Sequence, residues 1–224
     1  MRGLFNMNIV LLGSPASGKG TQAEILSEKF NLFHLSTGDV ARKLAETDPR
    51  IKEIINSGKL IPPEEITMHV LDFLEDKKPD LRDILFEGFP RFVSQYEALD
   101  NFLKSKGDDI DVVISLEVPM DMAVKRISAR WMCSGCGEIF NTESKPPKSF
   151  GVCDKCGGTL VQRDDDKPEA VKTRFEHYVQ NTKELIDYID TKGNLTKVNG
   201  DRPIEEIAKD LEEIVRKAKE NDQN

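Results

Sequence analysis

Residues 7–13 read MNIVLLG and run straight into residues 13–21, GSPASGKGT. The first stretch is a continuous apolar run of strand length that ends on glycine. Beyond Gly18, Ala23, Leu26 and Phe30 recur at helical spacing. The order is therefore strand, glycine-rich turn, helix. Two glycines, Gly13 and Gly18, flank four residues, and Lys19 follows directly. Glycine lets the backbone turn its N–H groups inward, the helix presents its positive N-terminal end, and a lysine at this place reaches the β and γ phosphates. A glycine turn between strand and helix is common in itself. Here spacing and context agree, and Gly13, Ser14, Pro15, Ala16, Ser17, Gly18, Lys19, Gly20 and Thr21 read as a cradle for a bound triphosphate. Gly20 stands in the slot where a Ser or Thr commonly ligates Mg²⁺, and Thr21 comes one residue later.

Working outward, residues 83–88 (DILFEG) and 111–118 (DVVISLEV) are β-branched apolar runs, each followed by a helical pattern, and residues 195–199 form a weaker strand candidate. Ile66, Val70, Phe73 and Leu74 make one helical stripe; Val171, Phe175, Tyr178, Leu185 and Ile189 make another, with Pro168 in its first turn. A last helix from about Pro203 carries Ile204, Ile207, Leu211, Ile214 and Ala218, then frays into the polar tail 220–224. This alternation predicts an α/β fold with a parallel sheet flanked by helices. Segments 37–66 and 131–164 break it and read as insertions. The predicted organisation is a core of residues 1–36, 67–129 and 166–224, interrupted by units at 37–66 and 130–165.

The chain has 224 residues, 38% apolar content and a net charge of −8. That suits one sizeable core with appendages and argues against a general nucleic-acid binder, which needs clustered Lys and Arg. Residues 7–13 are too short to span a bilayer and lead into a glycine loop rather than a cleavage site, so a cytoplasmic protein with no membrane partner is expected. All four cysteines, Cys133, Cys136, Cys153 and Cys156, fall in one C-x₂-C-x₁₆-C-x₂-C pattern, with Gly137 and Gly157 after the two pairs. Four thiolates at this spacing predict a closed, structural Zn²⁺ site, with iron as the less favoured metal. A segment this polar lacks the apolar residues to fold alone, and the metal would make it a rigid flap.

A phosphate loop alone leaves an ATPase, a GTPase or a small-molecule kinase open. Four further segments narrow the choice: residues 35–39 (LSTGD) with Arg42, residues 87–91 (EGFPR) with Gln95, Arg126 with Arg130, and residues 163–166 (RDDD) with Arg174. Together with the phosphate loop they resemble the adenylate kinase family over nearly the whole chain. The resemblance implies phosphoryl transfer from Mg-ATP to AMP, giving ADP, by a monomer. It makes 37–66 an AMP-binding subdomain and the cysteine insert a lid.

By the same resemblance Thr37, Gly38, Arg42, Lys59, Leu60, Ile61, Gly88, Arg91 and Gln95 surround AMP, the Gln95 amide offering a donor and an acceptor to the adenine edge. Arg126, Arg130, Arg163 and Arg174 neutralise the phosphates, Arg163 and Arg174 reaching the AMP side as well. Asp165 and Asp166 lie close to the transferring group, and Gly200 to Arg202 grip the ATP base. Asp39 and Glu87 hold waters around Mg²⁺; Glu87 departs from the family's usual Asp. The chemistry needs charge stabilisation rather than a side-chain nucleophile, so His34, His69 and His177 receive no role.

Rival expectations are a UMP/CMP kinase, disfavoured by Thr37 and the long lid, and a GTP-dependent AMP kinase, which this sequence separates poorly from an ATP-dependent one. From a different class comes a zinc-ribbon adaptor with a nucleotide switch, which the acidic balance disfavours.

Overall fold

The structure, a computed structural model, describes residues 7–222. Residues 1–6 of the first expected core segment and 223–224 of the expected polar tail lie outside the described residues.

The apolar run forms β1 (Ile9–Gly13), the central strand of a five-stranded parallel sheet. It is followed by α1 (Lys19–Phe30), β2 (Phe33–Ser36), α2 (Thr37–Ala45), α3 (Pro49–Asn56), α4 (Pro63–Lys77) and β3 (Ile84–Glu87). Next come α5 (Val93–Ser105), β4 (Val112–Glu117) and α6 (Met120–Ser128). After the insert, α7 (Pro168–His177), α8 (Lys183–Thr191), β8 (Leu195–Asn199) and α9 (Ile204–Asp222) complete the core. Strand order is β2-β3-β1-β4-β8. Ile9 pairs with Leu85 on one side and Val112 on the other.

Alternation along β1 explains why its run is unbroken. Ile9 and Leu11 face a cluster with Ala23, Leu26 and Phe30 of α1 and Ile207, Leu211 and Val215 of α9. Val10 and Leu12 face the opposite cluster with Val70 and Leu74 of α4, Leu99 and Leu103 of α5 and Leu185 and Ile189 of α8. A strand covered by helices on both faces must be apolar at every position, and each such Leu or Ile contributes about 1.5–3 kcal/mol by burial.

Three features depart from expectation. β2 was not foreseen: only Leu35 of its four residues is fully buried, so the strand carries no apolar run. The stripe expected as one helical pattern from Val171 to Ile189 is split by a π-helical turn at Tyr178–Thr182. α9 does not fray at Glu220 but continues to Asp222.

Both segments that break the expected alternation hold regular elements. Residues 37–66 hold α2, α3 and the start of α4; Asp48 caps α3 by accepting from the Arg50 and Ile51 amides at 2.8 and 3.3 Å. The cysteine segment contains β5 (Arg130–Cys133), β6 (Ile139–Asn141) and β7 (Leu160–Val161), an antiparallel sheet in the order β6-β5-β7. Its buried cluster is only Cys133, Phe140, Cys153 and Leu160, with Trp131 packed against it. Among the described residues no helix is long and apolar enough to cross a membrane.

Candidate active site

A cleft of about 1010 Å³ opens at the carboxyl ends of the parallel strands. Ligand sites in open α/β sheets lie at this edge, where the strand ends release their loops. The loop after β1 forms its floor. Gly13 has φ 146°, and a Cβ there would stand 2.5 Å from the Leu116 carbonyl, so this position admits only glycine. Gly18, at φ 95°, turns the chain into α1.

Lys19 folds back over the loop, donating to the carbonyls of Gly13 at 2.8 Å and Ser14 at 2.7 Å. Its ammonium is pulled down to about 7, chiefly by burial; Glu87 opposes this, and Arg91, Arg174 and Arg130 reinforce it.

Opposite stand the arginines, held by two adjacent carboxylates after the cysteine insert. Asp166 accepts a two-pronged ion pair from Arg130, one prong at 2.8 Å. Asp165 accepts both prongs of Arg163 at 2.8 Å. Arg174 bridges the two, 2.9 Å from Asp165 and 3.2 Å from Asp166. Three guanidinium groups thus share two carboxylates. Burial pulls the Arg174 guanidinium down to about 10, with Arg130 and Arg163 adding to the effect against Asp165. Arg163 is lowered for the same reasons, burial first and then Arg130. This is an excess of buried positive charge, suited to an anion.

On the other wall Arg91 donates from Nε to the Gly88 carbonyl at 2.8 Å, and burial lowers its guanidinium. Arg42 is ion-paired with Asp39 one turn away on α2. Arg126 lies 3.5 Å from Asp201, and Arg202 is paired with Asp210.

The cleft brings together most of the sequence-predicted residues: Gly13, Pro15 to Thr21, Gly38, Asp39, Arg42, Leu60, Glu87, Gly88, Arg91, Arg126, Arg130, Arg163, Arg174 and Arg202 line it. Ser14, Thr37, Lys59, Ile61, Gln95, Asp165, Asp166 and Gly200 are not among its lining. Ile61 is buried in the core cluster. Gln95 is 3% exposed, and its amide is engaged within the chain, accepting from the Arg91 N–H at 2.8 Å and donating to the Pro63 carbonyl at 3.3 Å.

Sequence reasoning did not anticipate other parts of the wall. Glu24 and His34 of the core face Ile139, Asn141 and Lys145 of the insert across it, and His177 also lines it. Glu24 is held above the usual carboxylate range by burial and by Glu138 of the insert. The insert therefore lies over the phosphate-loop helix. Glu24 and His34 left no sequence signal beyond their places on α1 and β2.

The four cysteine sulfurs lie within 4.8 Å of one another. Cys133 and Cys156 are 3.4 Å apart, and Cys136 and Cys153 are 3.6 Å apart. Four thiolates bound tetrahedrally at about 2.3 Å would stand about 3.8 Å apart, so little movement is needed to hold one ion. Each pair sits on the same turn. The Gly137 N–H donates to the Cys133 carbonyl at 3.0 Å and the Gly157 N–H to the Cys153 carbonyl at 2.9 Å, with φ 75° and 74° at the glycines. The N–H of Cys136 and that of Gly135 hold the Cys133 thiol down at about 6. The cluster could hold a metal ion.

A phosphate loop on the central strand of a parallel sheet, faced by buried arginines across a cleft with two inserted arms, defines a nucleotide phosphotransferase of the nucleoside monophosphate kinase class. The family model described as adenylate kinase matches residues 11–194. The chain is 44% identical over 218 residues to the adenylate kinase of Archaeoglobus fulgidus, covering 95% of this chain and all of that protein. It is 41% and 40% identical to the adenylate kinases of Thermosipho africanus and Oceanobacillus iheyensis, each time over 215 residues, 94% of this chain and the whole relative. The chain belongs to the adenylate kinase family.

Proposed function

We propose that the chain catalyses reversible transfer of the terminal phosphoryl group of Mg-ATP to AMP, giving two ADP. The observation that carries this reading is the opposition, across one cleft, of Lys19 in its phosphate loop to the group formed by Arg130, Arg163 and Arg174 on Asp165 and Asp166. In the reaction an AMP phosphate oxygen forms a bond to the γ-phosphorus of ATP while the bridging bond to the β-phosphate breaks. The attacking oxygen carries no proton at neutral pH, so no general base is needed. The work left to the protein is alignment and charge stabilisation.

In this account residues 13–21 with Arg126, Arg130, Gly200 and Arg202 hold ATP, and Thr37, Gly38, Arg42, the backbone at 59–61, Gly88, Arg91 and Gln95 hold AMP. Asp165 and Asp166 act by aiming arginines, because their carboxylates are already engaged by them. Asp39 and Glu87 flank the floor and would accept hydrogen bonds from waters on Mg²⁺, which usually retains several; Asp39 must then give up Arg42. Units 37–66 and 130–165 are the two arms that close.

We assign the cysteine cluster to a structural zinc ion held by Cys133, Cys136, Cys153 and Cys156, because four thiolates leave no open position. The ion would supply folding energy to a segment with too small an apolar cluster of its own. We further place the protein in the cytoplasm as a monomer, as members of the family it belongs to are expected to be, without nucleic-acid or membrane partners; its acidic net charge of −8 supports the absence of a nucleic-acid partner.

A coupled assay of four nucleoside monophosphates against ATP and GTP tests the assignment. AMP is expected to lead, and equal rates for CMP and AMP would favour a pyrimidine kinase instead. Gln95→Ala is expected to raise KM for AMP and lower its preference over CMP by about tenfold, the effect of removing one buried amide. The variant releases the Arg91 backbone as well as the base edge; an unchanged AMP-to-CMP ratio would remove Gln95 from the acceptor site.

A further inference from the structure

We infer that Gln22 is a positioning residue for the donor nucleotide, holding the 200–204 loop in register with the phosphate loop. The inference rests on the reading that this loop takes the base of ATP.

Gln22 lies on α1 beside the phosphate loop, at i, i+4, i+8 spacing with Leu26 and Phe30. A polar residue thus stands where the buried stripe calls for an apolar one, and it is 2% exposed. Its Nε2 donates to the carbonyl of Ile204 at 3.0 Å, a contact between residues 182 apart in sequence. That partner fixes the orientation of the amide, since only the NH₂ side can face a carbonyl oxygen. Oε1 is therefore turned away, and it is buried with no hydrogen-bond partner among the described residues. An orphaned buried acceptor is destabilising. An apolar side chain of the same length would fill the space without that penalty, so what the amide contributes here is its bond to Ile204, not its packing.

The loop so held is also pinned at its other end. The Gly200 N–H donates to the Glu117 carbonyl at 2.8 Å. A Cβ on Gly200 would stand 3.2 Å from the Ser17 carbonyl of the phosphate loop and 2.8 Å from Val118. The phosphate loop and the 200–204 loop are therefore joined at Gly200 and, through α1, at Gln22. A nucleoside triphosphate must span from one loop to the other, and its affinity depends on their relative placement being set beforehand.

The test is steady-state kinetics with each nucleotide varied in turn, beside thermal melts, on Gln22→Met, Gln22→Leu and the reference variant Gly200→Ala, which displaces the loop directly. Both Gln22 variants are expected to raise KM for ATP about three- to tenfold, the worth of one neutral hydrogen bond, with KM for AMP within about twofold and Tm unchanged or higher. A purely structural role would lower Tm or move both KM values together, and either result overturns the inference. If Gly200→Ala raises KM for ATP and the Gln22 variants do not, Gln22 has no such role and the reading of the loop stands. If none of the three moves it, the loop does not take the donor and the inference falls with that reading.

Discussion

Lys19→Met is expected to lower kcat by about three orders of magnitude while leaving secondary structure and melting unchanged or improved. The lysine stands at the start of the phosphate-loop helix and hydrogen-bonds the loop itself, through the carbonyls of Gly13 and Ser14. Charge builds on the transferring group and on the leaving diphosphate, and a methionine of similar length supplies none to offset it. Because burial holds the ammonium down at about 7, the charged form is disfavoured in the ligand-free protein, so removing it does not endanger the fold. The same depressed value has a consequence for binding. At pH 8 only roughly a tenth of a group with that pKa is charged. A polyphosphate favours the charged form, so ATP binding at pH 8 takes up a proton, and less is taken up as pH falls below 7. Calorimetry in two buffers of different ionisation heat reads this directly. Lys19→Met should bind ATP more weakly and without the uptake attributable to Lys19. Near-normal kcat in the variant would remove Lys19 from the chemistry.

Loss of the metal is expected to have the largest effect on stability. The insert's buried cluster contains two large side chains besides its cysteines, Phe140 and Leu160, too few to order a segment of this length. A side chain on Gly158 would approach the Cys133 and Cys156 sulfurs to 2.9 and 3.3 Å, so the knuckles close tightly on the sulfur centre. Protein purified without chelator should contain about one zinc per chain. Chelation, or Cys133→Ser with Cys153→Ser, should lower Tm by about 10 °C, the equivalent of about 3–4 kcal/mol at this chain length. The parallel sheet, with its own two cores, should stay folded. Activity well below both transitions should fall less than stability does, since the thiolates position Arg130 and Arg163 at the two ends of the insert and touch no substrate. An unchanged melt would show that the ion is no staple. A cold protein that is folded but inert would place the metal nearer the chemistry than this account does.

What could be read from the sequence follows how much of the signal was local. β1, its glycine loop and α1 carry a complete pattern within 24 residues, residues 7–30, because a strand buried on both faces must be apolar throughout and a phosphate loop must have glycine at fixed places. β2 left no such pattern, since Phe33, His34 and Ser36 are only half-buried. β5, β6 and β7 are two to four residues long, below what periodicity can register, and their sheet is organised by the knuckles rather than by apolar alternation. The π-helical turn at Tyr178–Thr182 shifts the helix by one residue without changing which residue types are apolar. At the site, the sequence offered candidate residues and not their partners. Nothing in the spacing of Asp165 and Asp166 announces that both are engaged by arginines, nor does Gln95 reveal its bonds to Arg91 and Pro63. Those contacts join segments that meet only in the folded chain.

The central claim is that this chain moves a phosphoryl group between nucleotides rather than to water. It is tested most directly by phosphorus NMR of ATP carrying a labelled terminal phosphate, incubated with the protein and Mg²⁺, with and without AMP. The account predicts that ATP persists alone, and that with AMP the label appears in the β-phosphate of newly formed ADP, two ADP arising per ATP consumed. Release of labelled inorganic phosphate at the same rate whether or not AMP is present would contradict it.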